Sequence, residues 1–240
     1  MESLFSTVEY IAQAPPSGTP DPIPYRVRRS DRARRVRVTV DVARGVEVVL
    51  PRRAPEREAA AAIRELRPWI ERRVAELARA EAAVAARGET VPYLGQTLAL
   101  RAEPGRTRVA RRGDVLLVPE RGATRGAALE RWYRRAARTE IEPRLDRACA
   151  LAGSSYSGLS IRAQRTRWAS CSRAGTMSFN WRLLLAPEPV LDYVVWHEVC
   201  HLEVMDHSPR FWRLLAARSP GYREQMRWLR KNGATLVLQS

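Results

Sequence analysis

Lysine is all but missing from this chain of 240 residues: Lys231 is the only one, so nearly all of the net charge of +16 rests on arginine. An arginine-for-lysine bias follows genomic base composition and has little functional weight of its own. The positive excess has more. It favours anions such as nucleic acid, nucleotides or acidic protein surfaces, unless it is simply a solvated basic surface. Cysteine is also scarce. Cys149, Cys171 and Cys200 are an odd number with no C-x-x-C pair, which excludes a disulfide framework and predicts a reducing, cytoplasmic setting. No run approaches the roughly 20 apolar residues of a membrane helix, and Met1-Glu2-Ser3-Leu4 opens neither a basic leader nor a signal-like apolar stretch. With 45% hydrophobic and 28% charged residues, the chain has a globular composition. Histidine is the third scarcity. There are three, His197, His201 and His207, all within eleven consecutive positions.

Along the chain, the prolines between Pro15 and Pro24 mark residues 1–24 as a flexible leader. Period-2 alternation then begins. Val36, Val38, Val40 and Val42 alternate with polar residues, Gly45 turns the chain, and Val46, Val48 and Leu50 return as a hairpin with one buried face. A helical pattern from Pro55 places Ile63, Leu66, Ile70, Val74 and Leu77 on one side, with a break expected at Pro68. Short strands are predicted around 91–100 and 115–118. A helix over 127–145 contains Pro143, which puts its continuity in question. A strand at 159–161, an irregular polar segment at 165–172 and a strand at Thr176–Asn180 lead into three helical segments, 189–204, 209–218 and 221–231. Strands come early and helices late, without β-α alternation. The class is α+β, with a β-rich region over 25–120 and a mainly helical core over 121–240.

The chemistry concentrates in His197-Glu198-Val199-Cys200-His201. At about 100° per residue, positions i and i+4 of a helix are neighbours one turn apart, so both imidazoles reach one ion, normally Zn2+. Glu198 stands beside them as a general base for water. It also falls within the arc of Leu191, Val194, Val195, Val199 and Leu202, the core-facing stripe. A carboxylate there is costly without a facing charge, and a divalent cation would supply one. A catalytic site needs a third protein ligand and an open position. His207 follows His201 at the metzincin interval, with Val204 where that pattern has glycine. On an unbroken helix His207 would be out of reach, so the helix is expected to end near Val204-Met205. Asp206 would then make the turn, and Ser208-Pro209 would start the next helix. Glu224 is the rival third ligand.

Several motifs together extend the pattern. Tyr93-Leu94-Gly95, Arg167-Trp168-Ala169-Ser170-Cys171-Ser172, Asn180-Trp181-Arg182-Leu183, Asp192-Tyr193-Val194-Val195-Trp196-His197-Glu198, and His207-Ser208 before Phe211-Trp212 occur in order. On these the chain resembles the YgjP-like family of bacterial zinc metallopeptidases, related to SprT-like proteases and to zincins at large, over roughly residues 25–236. The resemblance implies a zincin-like core, zinc on His197, His201 and His207, and Glu198 as the base. Two positions depart from the family. Ala169 stands where it usually has glycine, a change expected to tighten a loop, and Asp206 stands where it often has asparagine.

The expected function is zinc-dependent hydrolysis of a peptide or protein, with the strand Thr176–Asn180 pairing an extended substrate. Tyr222, Tyr193, Arg165, Arg167 and Asn180 are the candidate oxyanion or substrate contacts. Cys200 reads as packing. Three alternatives compete: a Cys171 nucleophile, hydrolysis of an anionic small molecule at a nucleotide phosphoanhydride, and a nucleic-acid-associated protease or binding protein.

Overall fold

Valine at every second position builds the first sheet. The computed structural model describes residues 7–10, 23–41, 44–120, 123–164 and 166–239. In it β1 (Thr7–Tyr10), β2 (Tyr25–Ser30), β3 (Val36–Asp41) and β4 (Gly45–Pro51) form a sheet of order β1-β3-β4-β2. The predicted hairpin pairs antiparallel, with Val38 opposite Val48, and Gly45 makes the turn at a φ of 70°. Val36, Val38, Val40, Val46, Val48 and Leu50 turn inward onto Ala59, Ala62 and Ile63 of α1 (Arg57–Glu65) and Ile70 of α2 (Arg67–Ala85). Val42, expected on the same face, lies outside the described residues. The helix breaks where proline predicts it. α1 ends at Glu65, and Pro68 sits in the first turn of α2, where a missing N–H costs nothing. The leader expected over 1–24 contains a strand instead: β1 pairs antiparallel with β3, because Thr-Val-Glu-Tyr precedes the prolines and suits a strand. The rest of that segment, through residue 22, lies outside the described residues.

The chain divides into two compact units at Ala82–Ala83, earlier than the 120/121 boundary read from the sequence. The reason lies in β5 (Thr90–Tyr93), β6 (Gln96–Ala102), β7 (Ala110–Arg112) and β8 (Val115–Val118), a second sheet of order β5-β6-β8-β7. These strands belong with the helical half. The Tyr133 hydroxyl donates to Pro92 O at 2.6 Å, and the Tyr93 hydroxyl donates to Glu140 at 2.9 Å. Leu94 N–H reaches Leu184 O at 2.8 Å. That contact holds a two-residue hairpin turn in which Leu94 and Gly95 both have positive φ, 49° and 87°.

Helix α3 (Ala123–Ala152) runs unbroken through Pro143. The continuity that Pro143 put in question is kept, because Leu129, Tyr133, Ala137, Ile141 and Leu145 form one buried stripe and Arg144 donates to Glu140 O at 2.7 Å. A third sheet, of order β10-β11-β9, contains β9 (Gly158–Arg162), β10 (Ala169–Cys171) and β11 (Thr176–Asn180). β10 lies within the segment expected to be irregular, where Trp168 and Ala169 are buried. A 3-10 turn (Trp181–Leu185), α4 (Glu188–Cys200), α5 (Pro209–Arg218) and α6 (Tyr222–Asn232) complete the α+β fold. α4 is buried over most of its length, and the polar residues among its buried ones are His197 and Glu198. Among the described residues, no helix is long and apolar enough to cross a membrane.

Candidate metal centre

Helix α4 ends at Cys200, four residues before the end expected from the sequence. The shorter bonds Leu202 N→Val199 O (3.1 Å) and Glu203 N→Cys200 O (3.2 Å) tighten its last turn into a reversal. Buried Val204 closes that turn with Val204 N→Cys200 O at 3.0 Å, so no glycine is needed. The Asp206 carboxylate then accepts from Ser208 N–H at 2.9 Å, and Pro209 opens α5. This side-chain turn carries His207 back over α4.

The three histidines converge as a result. His201 Nε2 lies 3.2 Å from His197 Nε2, and His207 Nε2 lies 3.0 Å from it. The ligand atoms of all three lie within 4.8 Å of one another. Two nitrogens about 2.0–2.1 Å from one tetrahedral ion would be separated by about 3.3 Å, so the spacing fits a shared cation. Val204 O, 3.0 Å from His201 Nδ1, fixes that ring so that Nε2 faces the cluster. Nothing in the residue pattern signals this second role for Val204. Phe211 stacks on His201 at 4.6 Å and Trp212 on His207 at 5.6 Å, walling the imidazoles with apolar rings.

The electrostatics point the same way. Burial, then the neighbouring His201, lowers the His197 pKa to about 2. His201 and His207 are also lowered, chiefly by burial. The nitrogens are therefore neutral lone-pair donors. Both Glu198 carboxylate oxygens are buried without a hydrogen-bond partner. Burial raises the Glu198 pKa to about 8, opposed by Arg167 and by the Cys171 N–H, which faces the carboxylate outside hydrogen-bond geometry. Three convergent neutral imidazoles are a donor set for a divalent ion, and a cation held there would offset the unpartnered buried carboxyl of Glu198, next to His197 in the chain.

The other candidates separate. Glu224 is exposed on α6 and is not part of the cluster. Asn180 is fully buried and committed to the main chain. It donates to Gln164 O (2.7 Å) and Arg167 O (3.4 Å) and accepts from Arg182 N–H (3.2 Å), so its side chain braces the main chain at Gln164 and Arg167. Tyr222 is buried with its ring stacked 5.8 Å from Trp212, and its hydroxyl accepts from Arg223 Nε at 3.1 Å, a packing position. Tyr193 is buried with its ring edge to His197 at 5.9 Å. Arg167 is exposed beside β10, and Arg165 lies outside the described residues. Strand β11 cannot take an extended substrate, because β10 and β9 occupy both of its edges. Burial pushes the Cys171 thiol up to about 11, which disfavours it as a nucleophile. Cys200 is buried, as packing predicts. Ala169 sits in β10 opposite Phe179, not in a loop, and its backbone does not require glycine.

Residues 34–232 match the YgjP-like family, described as a metallopeptidase domain. The chain belongs to the YgjP-like family. Membership makes it a hydrolase of the metallopeptidase type, which implies a divalent metal and a peptide or protein substrate. Among curated proteins, none matches the chain. It is similar to the crystal structure of the metallopeptidase zymogen of Pyrococcus abyssi abylysin, at 28% identity and a TM-score of 0.35, over 38% of this chain and 93% of that one.

Proposed function

We propose that this YgjP-like protein is a zinc-dependent peptidase in which His197, His201 and His207 hold the metal and Glu198 is the general base. The observation that carries the reading is the convergence of three imidazole Nε2 atoms beside a buried, unpartnered carboxyl. Three neutral nitrogen donors with no thiolate suit zinc and leave one tetrahedral position open. Zinc held there would supply a Lewis acid for an amide carbonyl and an acidified water. The remaining work belongs to the chain. Glu198, relieved of its raised pKa by a nearby cation, is ionised and takes the proton of the attacking water. It then returns that proton to the leaving amine.

The substrate strand is best placed on β10. β10 is an edge strand of its sheet, and its Cys171 main chain faces Glu198. A peptide adding to that edge would set its carbonyl beside the base. Arg167, at the start of the same segment, remains the candidate for binding substrate or oxyanion.

The test compares wild type with Glu198→Gln, both zinc-loaded, on a peptide library and on nucleoside triphosphates. Peptide cleavage is expected to fall on the order of 10²–10⁴-fold in the variant. Triphosphate hydrolysis lost in the variant, without peptide cleavage by wild type, would assign the phosphoanhydride reaction instead.

A further inference from the structure

Helix α3 pairs most of its arginines. Arg125 bonds Glu89, Arg134 bonds Glu130, Arg138 bonds Glu142 and Arg144 bonds Glu140, three of the four through i,i+4 contacts on the helix itself. Arg131 and Arg135 break that pattern. They are a like-charged i,i+4 pair, a spacing that destabilises a helix. Across from them stands Arg108, just before β7. Together with Val109 and Ala128 these three arginines, all exposed, line an open surface pocket of about 480 Å³. Among the described residues, none of the three guanidinium groups has a carboxylate or carbonyl partner. Val109 and Ala128, in contrast, are buried and give the cavity an apolar floor.

Three exposed guanidinium groups lining one open pocket concentrate positive charge there and favour an anion. Their planar forks match a phosphoryl group, which accepts paired N–H bonds on several oxygens. The volume falls in the range of small-ligand sites, about 300–1,000 Å³, so the cavity can hold more than a bare phosphate. We propose that this cavity binds a small phosphorylated metabolite, with the phosphoryl group on Arg108, Arg131 and Arg135 and its organic portion against Val109 and Ala128. The site shares no residue with the histidine cluster and does not rest on the peptidase reading.

The experiment titrates the full-length zinc-loaded protein with inorganic phosphate, with adenosine monophosphate and with a single-stranded oligonucleotide, by calorimetry at low and at 0.5 M salt. Two variants accompany it: Arg131→Gln with Arg135→Gln, and a charge-matched control, Arg79→Gln with Arg147→Gln. The monophosphate is expected to bind with one-to-one stoichiometry and more tightly than phosphate. The first variant should lose at least tenfold in affinity and the control less than twofold, while both keep the wild-type unfolding midpoint. Equal losses in the two variants would reduce the effect to net charge and overturn the proposal. So would an absence of monophosphate binding at low salt, or oligonucleotide binding that depends on Arg131 and Arg135 while the monophosphate fails to bind.

Discussion

Glu198 is where the chemistry of single residues is most exposed to test. In the metal-free protein, burial holds its pKa at about 8 against an ordinary 4.5. Between those values the folded carboxyl keeps its proton while the unfolded chain releases it, so stability falls as pH rises through the window. The three lowered imidazoles act in the opposite sense. Their contribution is present above the ordinary value of 6.5 and is lost as pH falls. Glu198→Gln removes the carboxyl effect alone. In urea titrations of chelator-treated protein, the variant's advantage over wild type should grow from about pH 4.5 to about pH 8 and then level off. A difference that does not change with pH would mean the carboxyl is already ionised in the metal-free fold.

At the scale of elements, the site depends on how α4 is anchored to α3. Arg144 on α3 bonds Glu140 on its own helix and both Glu188 and Asp192 on α4. Its side chain is 22% exposed against 55% for Glu188 and 50% for Asp192, so each bond is a partly screened surface pair and the weight lies in the network of three. Arg144→Ala should cost about 1–2 kcal/mol in denaturant unfolding, and a loss under about 0.5 kcal/mol would show the network to be idle. The sequence revealed α4 and its motif readily, because His197 and His201 share a face and few other positions compete. The helix end was harder to read. Asp206 and Ser208-Pro209 signalled a turn, but the tightening at Leu202 and Glu203 depends on Val204 being buried by tertiary packing. The same limit hid β10, whose three residues form a strand only because β11 lies beside them. It also misplaced the substrate edge, since sheet order cannot be read from one strand's alternation. Pro143 misled for a related reason. A local breaker was outweighed by a buried stripe five residues deep in the helix.

Across the whole molecule, charge and metal divide unevenly. Residues 1–82 hold 16 arginines against 12 acidic residues, whereas residues 83–240 hold 26 basic against 14 acidic. The positive excess therefore lies mainly in the unit that contains the histidine cluster. That unit should also be the one that zinc stabilises. A ligand at a thousandfold excess over its Kd adds about 4 kcal/mol to a fold that binds it only in the native state. Calorimetric unfolding should accordingly shift to higher temperature with zinc and lower with chelator. His201→Ala should abolish the shift, and a zinc-induced shift that survives this change would place the metal elsewhere.

In the proposed site three histidines, and not two with a distant glutamate, hold the ion. Metal content of purified wild type, Glu198→Gln, His207→Ala and Glu224→Gln measures this directly. One zinc per chain is predicted for wild type, Glu198→Gln and Glu224→Gln, with most of it lost from His207→Ala. Zinc retained in full by His207→Ala, or lost from Glu224→Gln, would contradict the site described here.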